Sequence, residues 1–341
     1  MRSDSGEPRR QVAMPITRRT ILGATSAAVA VAATPALAEE CRIGPLAHEK
    51  GPRVWMDMDQ VELDAAYDQS VYAPLGGQTR ARFASTSELV RARLGPPQRL
   101  AYGPSEFDRL DIYRTKRPKA PIFVYFHGGA WLRGSAADSS FPAEMFVNAG
   151  AHFVVPDFMP IGAANGDLRV MADQVRRAIA WTYSNAATFD GDPERLYIGG
   201  HSSGGHLCGV VLVTDWKNDL GLPATTVKGG LCASGMYDLK PVRLSARSKY
   251  VKFTDEIEQA MSPQRHLDLL RAPVIVTYGT YETPEFQRQS RDFAAAVKVL
   301  GKPVELIVAE NYNHFDTEES LGNPYGPNGR AALALMKLSS T

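Results

Sequence analysis

Gly200-His201-Ser202-Ser203-Gly204 is the segment whose residue types and spacing most directly suggest chemistry. A serine hydroxyl is a weak nucleophile until a base takes its proton and a sharp turn aims it at a carbonyl. Glycines two residues before and two after the serine permit that turn, since a Cβ at either place would meet the neighbouring strand or helix. The pattern arises by chance in many sequences. It gains weight when a strand precedes it and a helix follows, and both signals are present here. His127-Gly128-Gly129-Ala130-Trp131 lies upstream at the end of another apolar run. Such a loop offers unobstructed backbone donors to the negative charge of a tetrahedral intermediate. The expected donors are the N–H groups of Gly128, Gly129 and Ser203.

Seven histidines compete for the role of base: His48, His127, His152, His201, His206, His266 and His314. Where the nucleophile sits on a strand-to-helix turn, the partners follow it in the order acid, then histidine, with the histidine after the last strand. His314 fits that place. His201 and His206 flank the nucleophile and are expected to make structural hydrogen bonds, while the His127 ring is expected to brace the oxyanion loop. The remaining histidines read as structural or surface residues. The acid belongs after the preceding strand, in Gly279-Thr280-Tyr281-Glu282-Thr283-Pro284-Glu285. Glu282 is the first choice and Glu285 the reserve; Asp238 is more distant, and Asp316 is too close in sequence to His314 to orient it.

The elements that must hold these residues alternate between β-rich runs and helical patterns, which points to a mainly parallel central sheet flanked by helices. Strands are expected over 122–126, 153–155, 196–198, 227–233, 274–278 and 304–308. Helices are expected over 168–185, where Val170, Met171, Val175, Ala178, Ile179 and Trp181 recur at helical spacing, and over 207–216, 286–300 and 329–338. Asp192-Pro193 reads as the turn after the first of these helices. The segment 47–100 has weaker periodicity and is expected to wrap the domain. Together with an insert before the penultimate strand it would form a small cap.

With 341 residues, 44% of them apolar and 22% charged, the chain has material for one large α/β domain, and a net charge of +1 without a basic block leaves no footprint for nucleic acid. A small neutral or weakly charged substrate is expected. No histidine pair or carboxylate cluster suited to a metal falls in the expected site, and no cofactor is called for. Arg18-Arg19, the small apolar stretch after it and Ala36-Leu37-Ala38 read as a twin-arginine (Tat) export signal over 1–38, leaving a catalytic domain over 39–341 in the periplasm or secreted. Translation from Met14 in place of Met1 would still retain the signal. The apolar stretch is short, and Pro35 interrupts it, so no stable membrane insertion is expected after cleavage. Cys41, Cys208 and Cys232 make a poor disulfide framework. The latter two read as small core residues.

Taken as a set, several segments resemble the kynurenine formamidase-like (arylformamidase-like) branch of the esterase/lipase α/β-hydrolases. They are His127-Gly128-Gly129-Ala130-Trp131, Gly200-His201-Ser202-Ser203-Gly204-Gly205-His206-Leu207, Thr214-Asp215-Trp216, Tyr237-Asp238-Leu239, Glu282-Thr283-Pro284-Glu285-Phe286-Gln287-Arg288-Gln289-Ser290 and Asn313-His314-Phe315-Asp316. The resemblance covers most of the chain after about Trp55. It implies the α/β-hydrolase fold and a metal-free acyl-enzyme mechanism carried by Ser202, Glu282 and His314. The family usually has aspartate at the position of Glu282. Export is a second departure, and it turns the expectation from N-formylkynurenine hydrolysis proper toward small esters or aryl formamides. A non-catalytic binding module of the same fold would normally lack the serine or the histidine, and neither is missing. A long-chain lipase would need an extensive apolar lid, whereas the insert here is rich in Arg, Lys and Ser.

Overall fold

The computed structural model describes Gly44 and residues 47–339. The segment read as an export signal, and Cys41, lie outside the described residues. Eight strands form one sheet: β1 (Gln98–Ala101), β2 (Arg109–Tyr113), β3 (Ala120–Phe126), β4 (His152–Pro156), β5 (Gly191–His201), β6 (Gly230–Ala233), β7 (Val274–Gly279) and β8 (Val304–Ala309). Their spatial order is β1-β2-β4-β3-β5-β6-β7-β8. The β1–β2 and β2–β4 pairs are antiparallel, and every later pair is parallel.

A parallel strand covered on both faces needs a continuous apolar run, and β3 is buried along its whole length. Ile122, Val124 and Phe126 point into one core, with the helix Leu168–Asn185, while Phe123 and Tyr125 point into the core on the opposite face. Six strands and four helices stand where the sequence puts them, with shifted ends. β1 and β2 carry weaker signals: β1 is an edge strand exposed over most of its length, and β2 is only five residues of alternation. The Asp192-Pro193 turn is absorbed into an irregular start of β5, where the register with β3 shifts. Proline, which has no N–H for the ladder, is tolerated at such an irregularity. In the helix Leu168–Asn185, Val170 faces solvent, unlike the other positions on its expected stripe.

The helix expected over 207–216 starts earlier, at Ser203, and ends at Leu212. Glycines 204, 205 and 209 lower its intrinsic propensity. They are required because the helix runs against the sheet: a Cβ on Gly204 would lie 2.0 Å from the Phe126 carbonyl oxygen. Cys208, on this helix, and Cys232, on β6, are buried free thiols with Sγ atoms 3.7 Å apart.

Residues 47–100 contain a helix that periodicity alone does not reveal, Gly76–Leu94. Its inward stripe of Thr79, Phe83, Ser87 and Val90 is half polar, so the apolar signal is diluted. The amino-terminal segment meets the insert as expected of a cap. The Gln60 amide donates to Leu244 O (3.0 Å), and the Ala246 N–H donates to the Asp64 carboxylate (2.6 Å). Among the described residues no helix is long and apolar enough to cross a membrane.

Candidate active site

Ser202 stands between the end of β5 and the first residue of the helix Ser203–Leu212, with φ 58° and ψ −122°. A non-glycine residue at this φ is strained, and strain of this kind persists where the surroundings over-determine it. Gly200 and Gly204 do so here. A Cβ on Gly200 would lie 2.1 Å from the Gly204 carbonyl oxygen, so strand and helix approach closer than any side chain allows.

The loop after β3 runs directly beside this turn: a Cβ built on Gly128 would lie 3.1 Å from His201 O and 3.3 Å from the Ser202 Cβ. Gly129, Ala130 and Trp131 all have positive φ (117°, 57° and 62°). This left-handed arc turns the backbone away from a regular ladder, and the Gly128, Gly129 and Ser203 N–H groups donate to no described residue. Two pairs of side chains fix the loop, His127 with Phe158 and Trp131 with His206. The His127 ring lies against Phe158 (centroids 4.3 Å apart), with its Nδ1 3.0 Å from Gly128 O. Trp131 Nε1–H donates to His206 Nδ1 (3.3 Å), leaving His206 Nε2–H to donate to Met261 O (2.8 Å). Burial pushes the His206 pKa down to about 4, so the neutral tautomer this relay needs is the stable one.

His314 opens the short helix after β8, and Glu282 lies just beyond β7. Their side chains meet: His314 Nδ1–H donates to Glu282 Oε2 at 2.8 Å. The other carboxylate oxygen, Oε1, accepts from the Ser234 hydroxyl (2.6 Å) and the Gly279 N–H (2.7 Å), with the Thr317 hydroxyl, which donates to Asn313 O, 3.4 Å away. Burial by itself would raise the Glu282 pKa. The His314 and His201 imidazoles and these donors outweigh it and hold the carboxyl below its ordinary value. His314 is shifted down, first by burial and then by His201, so the ring is neutral and can accept a proton.

Glu285, the reserve acid, is engaged elsewhere, by Arg288 (2.7 and 2.8 Å) and the Tyr67 hydroxyl (3.0 Å). Asp238 pairs with Arg265, and Asp316 caps its own helix. Ser202 and His314 line one cleft of about 750 Å³, together with Gly129, Tyr67, Arg247 and Glu318. The Ser202 hydroxyl makes no hydrogen bond to His314 among the described residues. A loose nucleophile–base contact is common before substrate binds.

One feature of the site goes beyond the residues that the sequence singles out for catalysis. His201 Nδ1 stands 3.1 Å from Glu318 Oε2, in ion-pair contact but poorly aligned for a hydrogen bond, and Glu318 Oε1 accepts from the Tyr125 hydroxyl (3.0 Å). A helix turn puts Glu318 on the same side as His314, four residues before it. That spacing, together with the histidine beside the nucleophile, is the signal that could have pointed to the pair.

Comparison with known proteins bears on what this arrangement belongs to. The BD-FAE family model matches residues 110–228, from β2 to the threshold of β6. The fold is shared with an esterase of Pyrobaculum calidifontis (TM-score 0.62, 18% identity, 79% of this chain and 97% of that one). It is shared too with an esterase of Thermogutta terrifontis (TM-score 0.58, 22% identity, 72% and 93%). Esterase LipC of Mycobacterium tuberculosis is 26% identical over 239 residues, 67% of this chain and 59% of that protein. The kynurenine formamidase of Salmo salar is 29% identical over 281 residues, and that of Danio rerio 31% over 280, each match spanning 78% of this chain and 93% of the relative. Matched along nearly the whole length of those formamidases, this chain is an esterase- or formamidase-type hydrolase and belongs to the kynurenine formamidase-like branch of the esterase/lipase α/β-hydrolases.

Proposed function

We propose that the protein hydrolyses small carboxylic esters or aryl formamides through an acyl-enzyme on Ser202. The observation that carries the reading is the buried Glu282–His314 hydrogen bond of 2.8 Å opening onto the cleft that holds Ser202. In this scheme His314 Nε2 takes the Ser202 proton as Oγ attacks the substrate carbonyl. Glu282 keeps the proton on Nδ1 and stabilises the imidazolium that forms. The carbonyl oxygen becomes an oxyanion facing the N–H groups of Gly128, Gly129 and Ser203, each worth about 3–4 kcal/mol to the transition state. The imidazolium then gives its proton to the departing oxygen or nitrogen as the C–O or C–N bond breaks. A water deprotonated by His314 attacks the acyl-serine, and collapse of the second intermediate returns the proton to Ser202.

The identity with the two fish formamidases favours a second, narrower reading, in which N-formylkynurenine itself is the substrate. An ester releases its alkoxide or phenoxide more readily than an amide releases an amine that must be protonated. Ready hydrolysis of aryl acetates and butyrates therefore fits both readings, with rates falling steeply as the acyl chain lengthens. We propose in addition that the chain is exported, on the support of Arg18-Arg19 and Ala36-Leu37-Ala38.

Fluorophosphonate labelling followed by peptide mapping tests the nucleophile. A label on Ser202 that Ser202→Ala abolishes supports it, and a label elsewhere overturns it. The ratio of kcat/KM for N-formylkynurenine to that for an aryl acetate separates the two substrate readings.

A further inference from the structure

Arg247 is buried, with 8% of its surface exposed, yet it faces no carboxylate among the described residues. Its Nη1 donates to the Tyr250 hydroxyl (2.9 Å) and its Nη2 to the Tyr67 backbone oxygen (2.9 Å), while its buried Nε–H has no partner. Its Cζ lies over the rings of Trp131 (5.5 Å to the centroid) and Tyr67 (5.9 Å). By contrast Arg288, which is only partly buried, is matched by Glu285 and Asp292. A buried charge held only by neutral groups is costly, and an unfilled N–H beside it adds to that cost.

No carboxylate of the cleft pairs with it among the described residues. Arg80 and Arg133 line the same cleft and make no ion pair among the described residues. Burial first, and then the neighbouring Arg133, hold Arg80 below the ordinary guanidinium range, against the opposite pull of Glu318 and Asp68. The lining acids make no ion pair with these arginines among the described residues: Asp64 accepts from Gln60 and the Ala246 N–H, Asp68 from Ser70, and Glu318 from Tyr125 beside His201, and Arg80, Arg133, Arg247 and Lys249 outnumber them along the cleft. An occupant that brings its own negative charge would supply what the protein withholds. A planar carboxylate is the natural partner of a guanidinium held in a cleft, since the two groups match in shape and charge.

We infer that Arg247 is a specificity-determining residue that binds a carboxylate on the substrate, so that the preferred ester or amide is an organic anion. This rests on Ser202 marking the reacting end of the cleft. Since a formyl or acetyl group has no room for a second carboxylate, the anion lies on the leaving group.

The test compares 4-acetoxybenzoate with its methyl ester, by release of the phenol. Intrinsic reactivity favours the methyl ester, whose phenoxide is the better leaving group. The wild-type protein is expected to prefer the carboxylate by roughly ten- to a hundredfold in kcat/KM, mainly through KM, the scale of one charge-assisted hydrogen-bond set. Arg247→Gln should erase that preference and leave the methyl ester within about threefold of wild type, and Arg247→Lys should restore part of it. A wild-type preference for the neutral ester, or an equal fall for both substrates in Arg247→Gln, overturns the inference. Binding of 4-acetamidobenzoate and its methyl ester to Ser202→Ala, followed by calorimetry, needs no turnover. If neither acetate is hydrolysed, the hydrolase reading falls, and the binding ratio still decides whether the anion site exists.

Discussion

The imidazoles of His201 and His314 lie against one another, ring centroids 4.4 Å apart and planes at 48°. Each has its own buried glutamate, Glu318 for His201 and Glu282 for His314. Two acid–histidine pairs therefore stand side by side, one entering from the residue before the nucleophile and one from the loop after β8. Only the second has the 2.8 Å hydrogen bond expected of a proposed catalytic base and its orienter. The first acts on it electrostatically, since His201 lowers the His314 pKa while Glu318 raises it.

The sign of the pH dependence follows from that balance. His314 works as a base only when neutral, and its pKa is held below 6.5, so kcat/KM should be fully present at neutral pH and lost on acidification through a midpoint below 6.5. In His201→Asn the lowering influence is gone and Glu318 is left beside His314. The midpoint should then move to higher pH while the alkaline plateau is largely kept. An unchanged or lower midpoint in this variant would show that His201 does not act on the proposed base.

Glu282→Gln and Glu285→Gln should part cleanly. The first replaces an acceptor that fixes the His314 tautomer and is expected to cost about three to four orders of magnitude in kcat, less than Ser202→Ala or His314→Ala. The second breaks the pair with Arg288 and the bond from Tyr67. Its cost should fall on stability, up to about 3 kcal/mol, with little change in kcat. Urea midpoints and single-turnover rates on the two variants distinguish them, and a damaging Glu285→Gln beside a mild Glu282→Gln would reverse the assignment of the acid.

Gly204→Ala tests the turn itself. The new methyl would sit 2.0 Å from Phe126 O and 2.6 Å from His127 O, and neither backbone atom can move without parting the helix from β3. A loss of more than about 3 kcal/mol, or no soluble protein, is expected. Gly162→Ala is the control, because nothing lies within 4 Å of a Cβ there and a change within about 0.5 kcal/mol is expected.

Changing Arg18 and Arg19 together to lysine should leave the protein in the cytoplasm if the proposed export route is right. Amino-terminal sequencing of the exported wild-type form should then begin at Glu39. Undiminished export of the double variant would remove the basis for that route.

Much of the site can be read from the sequence because its decisive features are local. The strand, the glycines and Ser202 are neighbours along the chain, and their spacing encodes a turn whatever surrounds it. The same holds for the His127-Gly128-Gly129 loop and for the positions of Glu282 and His314 just after successive strands. The helix Gly76–Leu94 escaped because its buried face uses threonine and serine beside phenylalanine and valine, and β1 because an edge strand has one exposed side. The chemistry between distant segments is another matter. Ser234 reaches Glu282 across 48 residues, and Arg247 reaches the Tyr67 backbone across 180. No periodicity records such pairings: the first depends on β6 and β7 lying side by side in the sheet, and the second on the amino-terminal segment returning to the insert after β6. Only the packed structure decides that Arg247 is buried without a counter-ion: a charge is visible in any sequence, but its desolvation exists only once every neighbour is in place.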